Sequence, residues 1–346
     1  MTSQLTLGLD LGGTKIAGGV VSSRGDVLSD VRLPTPTKGV RKDLAALFDV
    51  AHVAVSAAKV PWPKIAAVGV GVPGAFDPRT QTVWAPNLPG WSKTPLTSLL
   101  EKVLQRPTFI EGDRNMQALA EAWLGAGARS GVRNLVFVTV GTGIGAGLIS
   151  EGRLISGAHG VSGAAGWMVI DRAWKPEYAR VGCFEALGAG PAVARLGQRA
   201  LKQHARSLIG VLAERNGAKV TAEIVAAAAR RGDPAARRVL HEVGTNLGLG
   251  VANIVSLLNP DVVVLGGGLA GIGNAILVPL RRAMRQWGQP LATKQVRVVR
   301  SCLGEEAGIL GAARYAFLRL EDMKHVSRKV LRGSAKGLRP NLFDAT

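Results

Sequence analysis

Short apolar runs separated by glycine turns are the clearest pattern near the start of the chain. Residues 7–11 form a mostly apolar run with one carboxylate, Asp10, near its end, and residues 16–21 form a second β-rich run. A strand, a glycine turn and another strand predict a hairpin. The turn residues are Gly12, Gly13, Thr14 and Lys15. Two glycines let backbone N–H groups approach an anion closely, so a phosphate site and an ordinary glycine-rich hairpin are both open at this point.

The same arrangement recurs in the middle of the chain, in the run NLVFVTVGTGIGAGLIS at residues 134–150. An apolar run, a turn at Gly141, Thr142 and Gly143, and a second apolar run again predict a hairpin. The repeat predicts two related α/β lobes, each of which offers a hairpin to one bound phosphate chain. Elsewhere the periodicity is mainly helical, most clearly over about 190–258 and 305–320.

A third glycine turn follows a β-rich run at residues 259–273 and contains Gly266, Gly267 and Gly268. With Gly271 it formally matches the G-x-G-x-x-G pattern of dinucleotide-binding folds. That pattern needs an acidic residue about 20 positions downstream to bind the ribose, and no Asp or Glu occurs between Asp261 and Glu305. The sequence therefore argues against a dinucleotide site and leaves open that a nucleotide base or ribose lies against this turn.

Composition and charge limit the class of protein further. The 346 residues and a hydrophobic fraction of 47% allow one large or two ordinary domains with an ample core. No apolar run is long enough to span a bilayer, and the two cysteines suggest neither a disulfide framework nor a metal motif. We therefore expect a reduced cytoplasmic protein without a signal peptide or membrane contact.

The net charge of +19 is spread over helix-like segments, which favours solvated helix faces over a recognition surface. We therefore expect no specific nucleic-acid partner. A protein with this charge would also attract polyphosphate.

The motifs then follow an order that resembles the ROK family of sugar kinases and related repressors: DLGGTK, GVPGAFD, PNLPGW, EGDRN, VTVGTGIGAGLI, GCFEALGAGPA and NPDVVVLGGGL. The resemblance covers roughly residues 5–320 and implies an α/β, two-lobed actin/hexokinase-like (ribonuclease H-like) fold with a central cleft that closes on the sugar. It implies a smaller N-terminal lobe at 1–115, completed by the helix 305–320, and a larger lobe at 116–304. Residues 321–346 show little apolar periodicity, and we expect a basic, unstructured tail there. We also expect a homodimer.

The resemblance also implies where the reactants bind. ATP would lie across the three glycine turns, at Gly12–Lys15, Gly141–Gly143 and Gly266–Gly268. Asp10 would hold Mg²⁺ through water, since this ion uses few protein carboxylates in phosphate sites. In the family's N-D-x-N sequence the aspartate is the catalytic base, and the matching residue here is Asp113. A carboxylate suits that role because the sugar hydroxyl must lose a proton as it attacks the γ-phosphoryl group; the alternative is that Asp113 only caps the following helix.

The sugar side departs from the family pattern. Gly112 stands where the family has a sugar-binding asparagine, and the family's G-E-x-G-H becomes GAAGW at 163–167, so that Trp167 replaces the histidine. The family's zinc loop survives at 176–183 only in its last cysteine, Cys183, and one thiolate without a histidine cannot form a tetrahedral site. We therefore expect no zinc. The expected substrate contacts are Asn87, Gly112, Asp113, Trp167 and Glu185.

An intact phosphate side and an altered sugar side predict an ATP- and Mg²⁺-dependent kinase for a sugar-like hydroxyl compound, such as a modified sugar or a cyclitol. Two alternatives remain: a nucleotide- or sugar-binding protein that no longer catalyses, and a sugar kinase that uses polyphosphate. A repressor of this family would carry a helix-turn-helix ahead of the first hairpin, and only nine residues precede Asp10. The repressor alternative is therefore disfavoured.

Overall fold

The structure is a computed structural model that describes residues 3–204, 206–215, 217 and 219–336, with side chains described as far as residue 325. It is a mixed α/β protein, as predicted, and the chain divides into two compact units. The first unit contains the chain up to Gly74, Arg79–Glu111 and the C-terminal helix from Gly308. The second contains Ala75–Pro78 and Gly112–Ala307. Residues 112–115, which we predicted in the first lobe, therefore lie in the second unit.

In chain order, the strands are β1 (Leu5–Leu11), β2 (Lys15–Ser22), β3 (Val31–Pro34), β4 (Ile65–Val72), β5 (Ala75–Asp77), β6 (Thr82–Trp84), β7 (Thr108–Gly112), β8 (Leu135–Val140), β9 (Ile144–Ser150), β10 (Arg153–Leu154), β11 (Val262–Gly266) and β12 (Arg297–Arg300). The α-helices are α1 (Val40–Ala57), α2 (Leu96–Leu104), α3 (Asp113–Trp123), α4 (Tyr178–Val181), α5 (Cys183–Gly188), α6 (Gly190–Gln203), α7 (Leu208–Glu214), α8 (Ala222–Arg230), α9 (Pro234–Leu258), α10 (Asn274–Trp287), α11 (Pro290–Gln295) and α12 (Ala307–Lys336). Short 3₁₀ turns lie at Trp62–Lys64, Ala165–Trp167, Ala270–Ile272 and Gly304–Glu306.

The first unit is built on a five-stranded sheet in the order β3-β2-β1-β4-β7. β1 pairs antiparallel with β2 and parallel with β4. These strands are apolar on both faces because helices cover both sides of the sheet. On β2, Gly18 faces Val50 of α1 and its neighbour Gly19 faces Ile309 of α12, and on β1 a Cβ on Gly8 would collide with the α12 backbone. This close packing explains why the last helix joins the first strands in one unit.

The second unit repeats this plan with five strands in the order β10-β9-β8-β11-β12. β8 pairs antiparallel with β9 and parallel with β11. An aliphatic core joins the sheet to helices that include α8, α9 and α10, and α3 packs on β8 and β9. The two predicted hairpins, β1–β2 and β8–β9, therefore occupy equivalent positions in their sheets.

The last helix differs from its prediction. α12 continues to Lys336, so the expectation of an unstructured tail at 321–346 is wrong for 321–336. The reason is local, because residues 321–332 contain no glycine or proline and are rich in straight-chain residues of high helix propensity. Residues 337–346 lie outside the described residues. In the described part of the chain, no helix combines the length and the apolar character that a membrane span needs.

Candidate active site

The turn of the first hairpin is closed by its own backbone and by a threonine that precedes α1. The Gly12 N–H donates to the Lys15 carbonyl at 2.9 Å. The Thr35 hydroxyl donates to the Gly12 carbonyl at 2.7 Å, and the Thr35 N–H donates to the Thr14 carbonyl at 2.9 Å. A Cβ on Gly13 would meet no heavy atom within 4 Å. The turn therefore has a fixed backbone with open space at its tip, as an anion site requires.

Asp10 lies just before the end of β1, and its carboxylate lies against Gly308 in the first turn of α12. A carboxylate is favoured there by the positive end of the helix dipole. Among the described residues, no group of three or more His, Cys, Asp or Glu side chains is arranged to hold a metal. A single carboxylate fits Mg²⁺, because in phosphate sites this ion keeps several waters and uses only one or two carboxylates.

The loop that contains Asn87 is closed around a buried tryptophan in the first unit. The Ala85 N–H donates to the Trp91 carbonyl at 2.8 Å, and the Trp91 Nε1 donates to Asp43 Oδ2 of α1 at 2.9 Å. Trp91 and Asp43 are both buried, whereas Asn87 is exposed. These hydrogen bonds fix the loop to the buried Trp91 and to α1, and Asn87 lies on the exposed part of the loop. Its role as a substrate contact stays a prediction.

The turn of the second hairpin borders a cavity of about 940 Å³ that lies within the second unit. The Gly141 N–H donates to the Gly143 carbonyl at 3.0 Å, and the Gly190 N–H donates to the Gly141 carbonyl at 2.8 Å, which ties the start of α6 to the turn. A cavity of this volume is in the range of small-molecule sites. The residues that line it include Gly141, Thr142, Gly190, Thr221, Glu223 and Gly268.

The three glycines of the third turn have different surroundings. Gly266 ends β11, and a Cβ there would collide with an aromatic ring on β8. Gly267 has a φ of +81° and lies against the Val140 carbonyl, which also accepts the Leu269 N–H at 3.1 Å. Gly268 lines the cavity, and a Cβ there would meet no heavy atom within 4 Å. Gly266 and Gly267 therefore shape the turn, and Gly268 keeps the cavity open.

Asp113 is the first residue of α3, directly after β7, and the N-cap position belongs to Gly112. Its Oδ1 accepts the Arg114 N–H at 2.7 Å and lies 3.8 Å from Arg114 Nε. The side chain keeps 34% of its surface exposed. Desolvation nevertheless raises the pKa of Asp113 above its ordinary value, and the charge and N–H of Arg114 oppose that rise. A carboxylate with increased proton affinity is suited to general-base chemistry.

Glu185 and Trp167, the two predicted substrate contacts of the middle segment, have different environments. Glu185 lies on α5, and its Oε2 accepts the Ile144 N–H at the start of β9 at 2.7 Å. A Cβ on Gly143 would lie 2.6 Å from the same oxygen, so this glycine makes room for the carboxylate. Trp167 ends a 3₁₀ turn and is 57% exposed. The structure thus joins Glu185 to the second hairpin, and the substrate roles of both residues stay predictions.

The segment in which the family pattern implies zinc is organised by other interactions. The Asp171 carboxylate accepts hydrogen bonds from Lys175 Nζ at 3.1 Å and from the Tyr178 hydroxyl at 3.3 Å. Tyr178 and Cys183 pack together in a small apolar cluster. Residues 171–183 contain one thiol and no imidazole, and this donor set does not fit a tetrahedral zinc site.

We expect purified protein to contain no stoichiometric zinc, because the ion pair and apolar cluster leave a single soft ligand in this segment. Elemental analysis after dialysis is expected to find far less than one zinc per chain. Prolonged incubation with a chelator is expected to leave the melting temperature unchanged. One tightly held zinc per chain, or a chelator-induced loss of stability, would contradict this reading of the segment.

Sequence patterns missed the residues that form another wall of the cavity. Thr221 is the N-cap of α8, where its hydroxyl accepts the Ile224 N–H at 3.4 Å, and Glu223 and Arg230 lie on the same helix. Hydrogen bonds with the Thr221 hydroxyl and, to a smaller extent, with the backbone lower the pKa of Glu223. Its carboxylate is therefore ionised at neutral pH. The T-A-E order at 221–223 suggests a helix start, but no local signal connects it with the distant glycine turns.

Comparison with known proteins places this geometry in a family. Residues 6–317 match the model of the ROK family. A glucokinase of Thermotoga maritima is 34% identical over 310 residues, which are 89% of this chain and 95% of that protein. The crystal structure of a ROK hexokinase from Thermus thermophilus has a TM-score of 0.75 and 36% identity and covers 92% of this chain and 99% of its own. A Streptomyces griseus ROK glucokinase, solved with glucose and AMPPNP, has a TM-score of 0.72 and 29% identity over 91% of this chain and 99% of its own. The predicted family resemblance and actin/hexokinase-like fold are thereby confirmed.

Proposed function

The chain belongs to the ROK family and is a carbohydrate kinase of that family, and on this premise we propose that it transfers the γ-phosphoryl group of ATP to a hydroxyl of a modified or less hydroxylated sugar, or of a cyclitol. The observation that supports the proposal most strongly is the cavity in the second unit, which two predicted glycine turns border. The glucokinase relatives support a carbohydrate acceptor.

The cavity favours ATP over polyphosphate as the donor. A volume of about 940 Å³ accommodates a nucleoside, whereas a polyphosphate chain has no base or ribose with which to fill it. Glu223 lines the cavity with a carboxylate that is able to accept hydrogen bonds from ribose hydroxyls, which polyphosphate does not have. The open glycines Gly141 and Gly268 let phosphate oxygens approach backbone N–H groups.

The proposed chemistry needs a base, and Asp113 is the residue we assign to it. As the acceptor hydroxyl attacks the γ-phosphorus, a carboxylate oxygen of Asp113 takes its proton, the bond from phosphorus to the bridging oxygen breaks, and ADP leaves. Glu185 fixes the start of β9 through the Ile144 N–H and so keeps the second hairpin in place. Mg²⁺, held through water by Asp10, would offset the charge of the phosphates.

The acceptor proposal rests on the residues that replace the family's sugar ligands. Ala164 and Trp167 stand in place of a glutamate and a histidine, so two polar partners for sugar hydroxyls are missing. Trp167 exposes more than half of its surface, which suits stacking on an apolar ring face. With these partners gone, a ring that lacks or masks the corresponding hydroxyls leaves no polar group of the site unpaired, so a deoxygenated, alkylated or acylated sugar loses less here than in a site that keeps the glutamate and the histidine.

A panel of hexoses, deoxy and N-acyl sugars and cyclitols tests this function, with ATP and polyphosphate compared side by side. We expect acceptor-dependent ADP release with ATP, a higher kcat/KM for a modified sugar or a cyclitol than for glucose, and no comparable turnover with polyphosphate. Faster turnover with polyphosphate would contradict the donor assignment. Nucleotide binding without turnover for any acceptor would favour the alternative of a binding protein.

A further inference from the structure

Arg114 occupies the position of the N-D-x-N pattern that carries no assigned role. It follows Asp113 on α3, and its side chain is 23% exposed. Its Nε lies 3.8 Å from Asp113 Oδ1, and its backbone N–H donates to the same oxygen at 2.7 Å. Both contacts therefore restrain one oxygen of the carboxylate that we assign as the base.

The Arg114 side chain also contacts the second hairpin. Gly145 is the second residue of β9, and a Cβ there would clash with the Arg114 Cδ and would lie 2.9 Å from Nη1 and 3.2 Å from Nε. Any larger residue at 145 would displace the guanidinium group. The Arg114 side chain on the neighbouring helix therefore uses space that only a glycine at position 145 leaves free.

The charged groups around Asp113 single out Arg114. The strands on which α3 packs, β8 and β9, contain no ionisable side chain. Glu185, which approaches the same hairpin, directs Oε2 to the Ile144 N–H. The buried Glu111 lies on β7, two residues before Asp113. After desolvation, the charge of Arg114 is the largest influence on the pKa of Asp113.

We propose that Arg114 is a positioning residue that fixes Asp113 Oδ1 and thereby leaves Oδ2 to take the proton of the acceptor hydroxyl. This proposal rests on the function proposed above, in which Asp113 is the base. A guanidinium contact restricts rotation of the carboxylate, and the efficiency of proton transfer depends on such orientation. The contact between Arg114 and Gly145 holds Asp113 in a fixed position relative to the β8–β9 hairpin, which borders the proposed nucleotide cavity.

Three variants test this role, together with a control. In Arg114→Ala the backbone N–H that binds Oδ1 is kept and only the ion pair is lost, so kcat is expected to fall by up to about tenfold, while ATP affinity and the melting temperature stay near those of the parent. Arg114→Lys should restore part of the loss. Gly145→Ala should lower kcat by displacing the arginine without changing any charge. Arg133→Ala serves as the control, because Arg133 forms an exposed ion pair with Glu151 at 2.8 Å.

The pH profile separates positioning from a merely structural role. The positive charge of Arg114 lowers the pKa of Asp113, so its removal should move the acidic limb of the kcat profile to higher pH. An active parent with unchanged kcat and pH profile in Arg114→Ala would overturn the proposal, as would a loss of kcat with an unmoved acidic limb. A parent without acceptor-dependent ADP release would instead remove the proposed function, and this role with it.

Discussion

Replacement of Asp113 by asparagine is expected to reduce acceptor-dependent turnover by about 10²-fold or more, the usual scale for loss of a general base. The asparagine keeps the shape of the side chain and an oxygen that can accept the Arg114 N–H, which the native Oδ1 accepts at 2.7 Å. Nucleotide binding should survive, because the cavity is lined by other residues. ADP release with the best acceptor and calorimetric titration with a nucleotide measure the two effects separately.

The fold should tolerate this substitution. Asp113 lies at the first position of α3, and Gly112 occupies the N-cap, so no side-chain cap is lost. The melting temperature of Asp113→Asn is therefore expected to match that of the parent within a few degrees, about the shift that 1 kcal/mol produces in a domain of this size. Full activity in the variant would remove Asp113 as the base and make Glu185 the next candidate.

Replacement of Gly268 by valine is expected to weaken ATP binding by about a hundredfold, comparable with the loss of one or two well-formed phosphate contacts. A Cβ at Gly268 would meet no protein atom within 4 Å, so the added methyl groups would occupy the space that the nucleotide needs. Gly141 has the same open surroundings, and Gly141→Val should have a similar effect. Calorimetric titration with ATP and Mg²⁺ measures the loss.

The neighbouring Gly267 provides the matched control. It has a φ of +81° and lies against the Val140 carbonyl, so Gly267→Ala should lower the melting temperature even without nucleotide. Gly268→Val should instead keep the melting temperature of the free protein and lose the stabilisation that ATP supplies. Unchanged ATP affinity in both Gly268→Val and Gly141→Val would mean that the cavity is not the nucleotide site.

The hairpins were predictable from sequence because each is a local pattern. The turn at Gly12–Lys15 and the turn at Gly141–Gly143 each lie between two apolar runs, and no distant residue is needed to recognise them. The assignment of the last helix to the first unit followed only from the family resemblance. In the structure it depends on close approach at Gly8 and Gly19, which no periodicity reveals.

The cavity wall and the neighbours of the base were not predictable in the same way. Thr221 and Glu223 lie far in sequence from Gly141, and only the packing of the second unit brings them to the same cavity. The match between Arg114 and Gly145 joins a helix to a strand, and neither local sequence contains a signal for it. Such pairings depend on tertiary contacts, which hydrophobic periodicity does not encode.

Transfer of the γ-phosphoryl group from ATP to an acceptor is the reaction that the proposed kinase function requires, and it can be followed directly with labelled ATP. The parent protein is incubated with Mg²⁺, γ-labelled ATP and the acceptor panel, and labelled acceptor is quantified together with ADP. We expect one phosphorylated acceptor for each ADP formed, with both products falling about 10²-fold or more in Asp113→Asn. ADP formation that does not depend on acceptor, or no labelled acceptor across the whole panel, would contradict it.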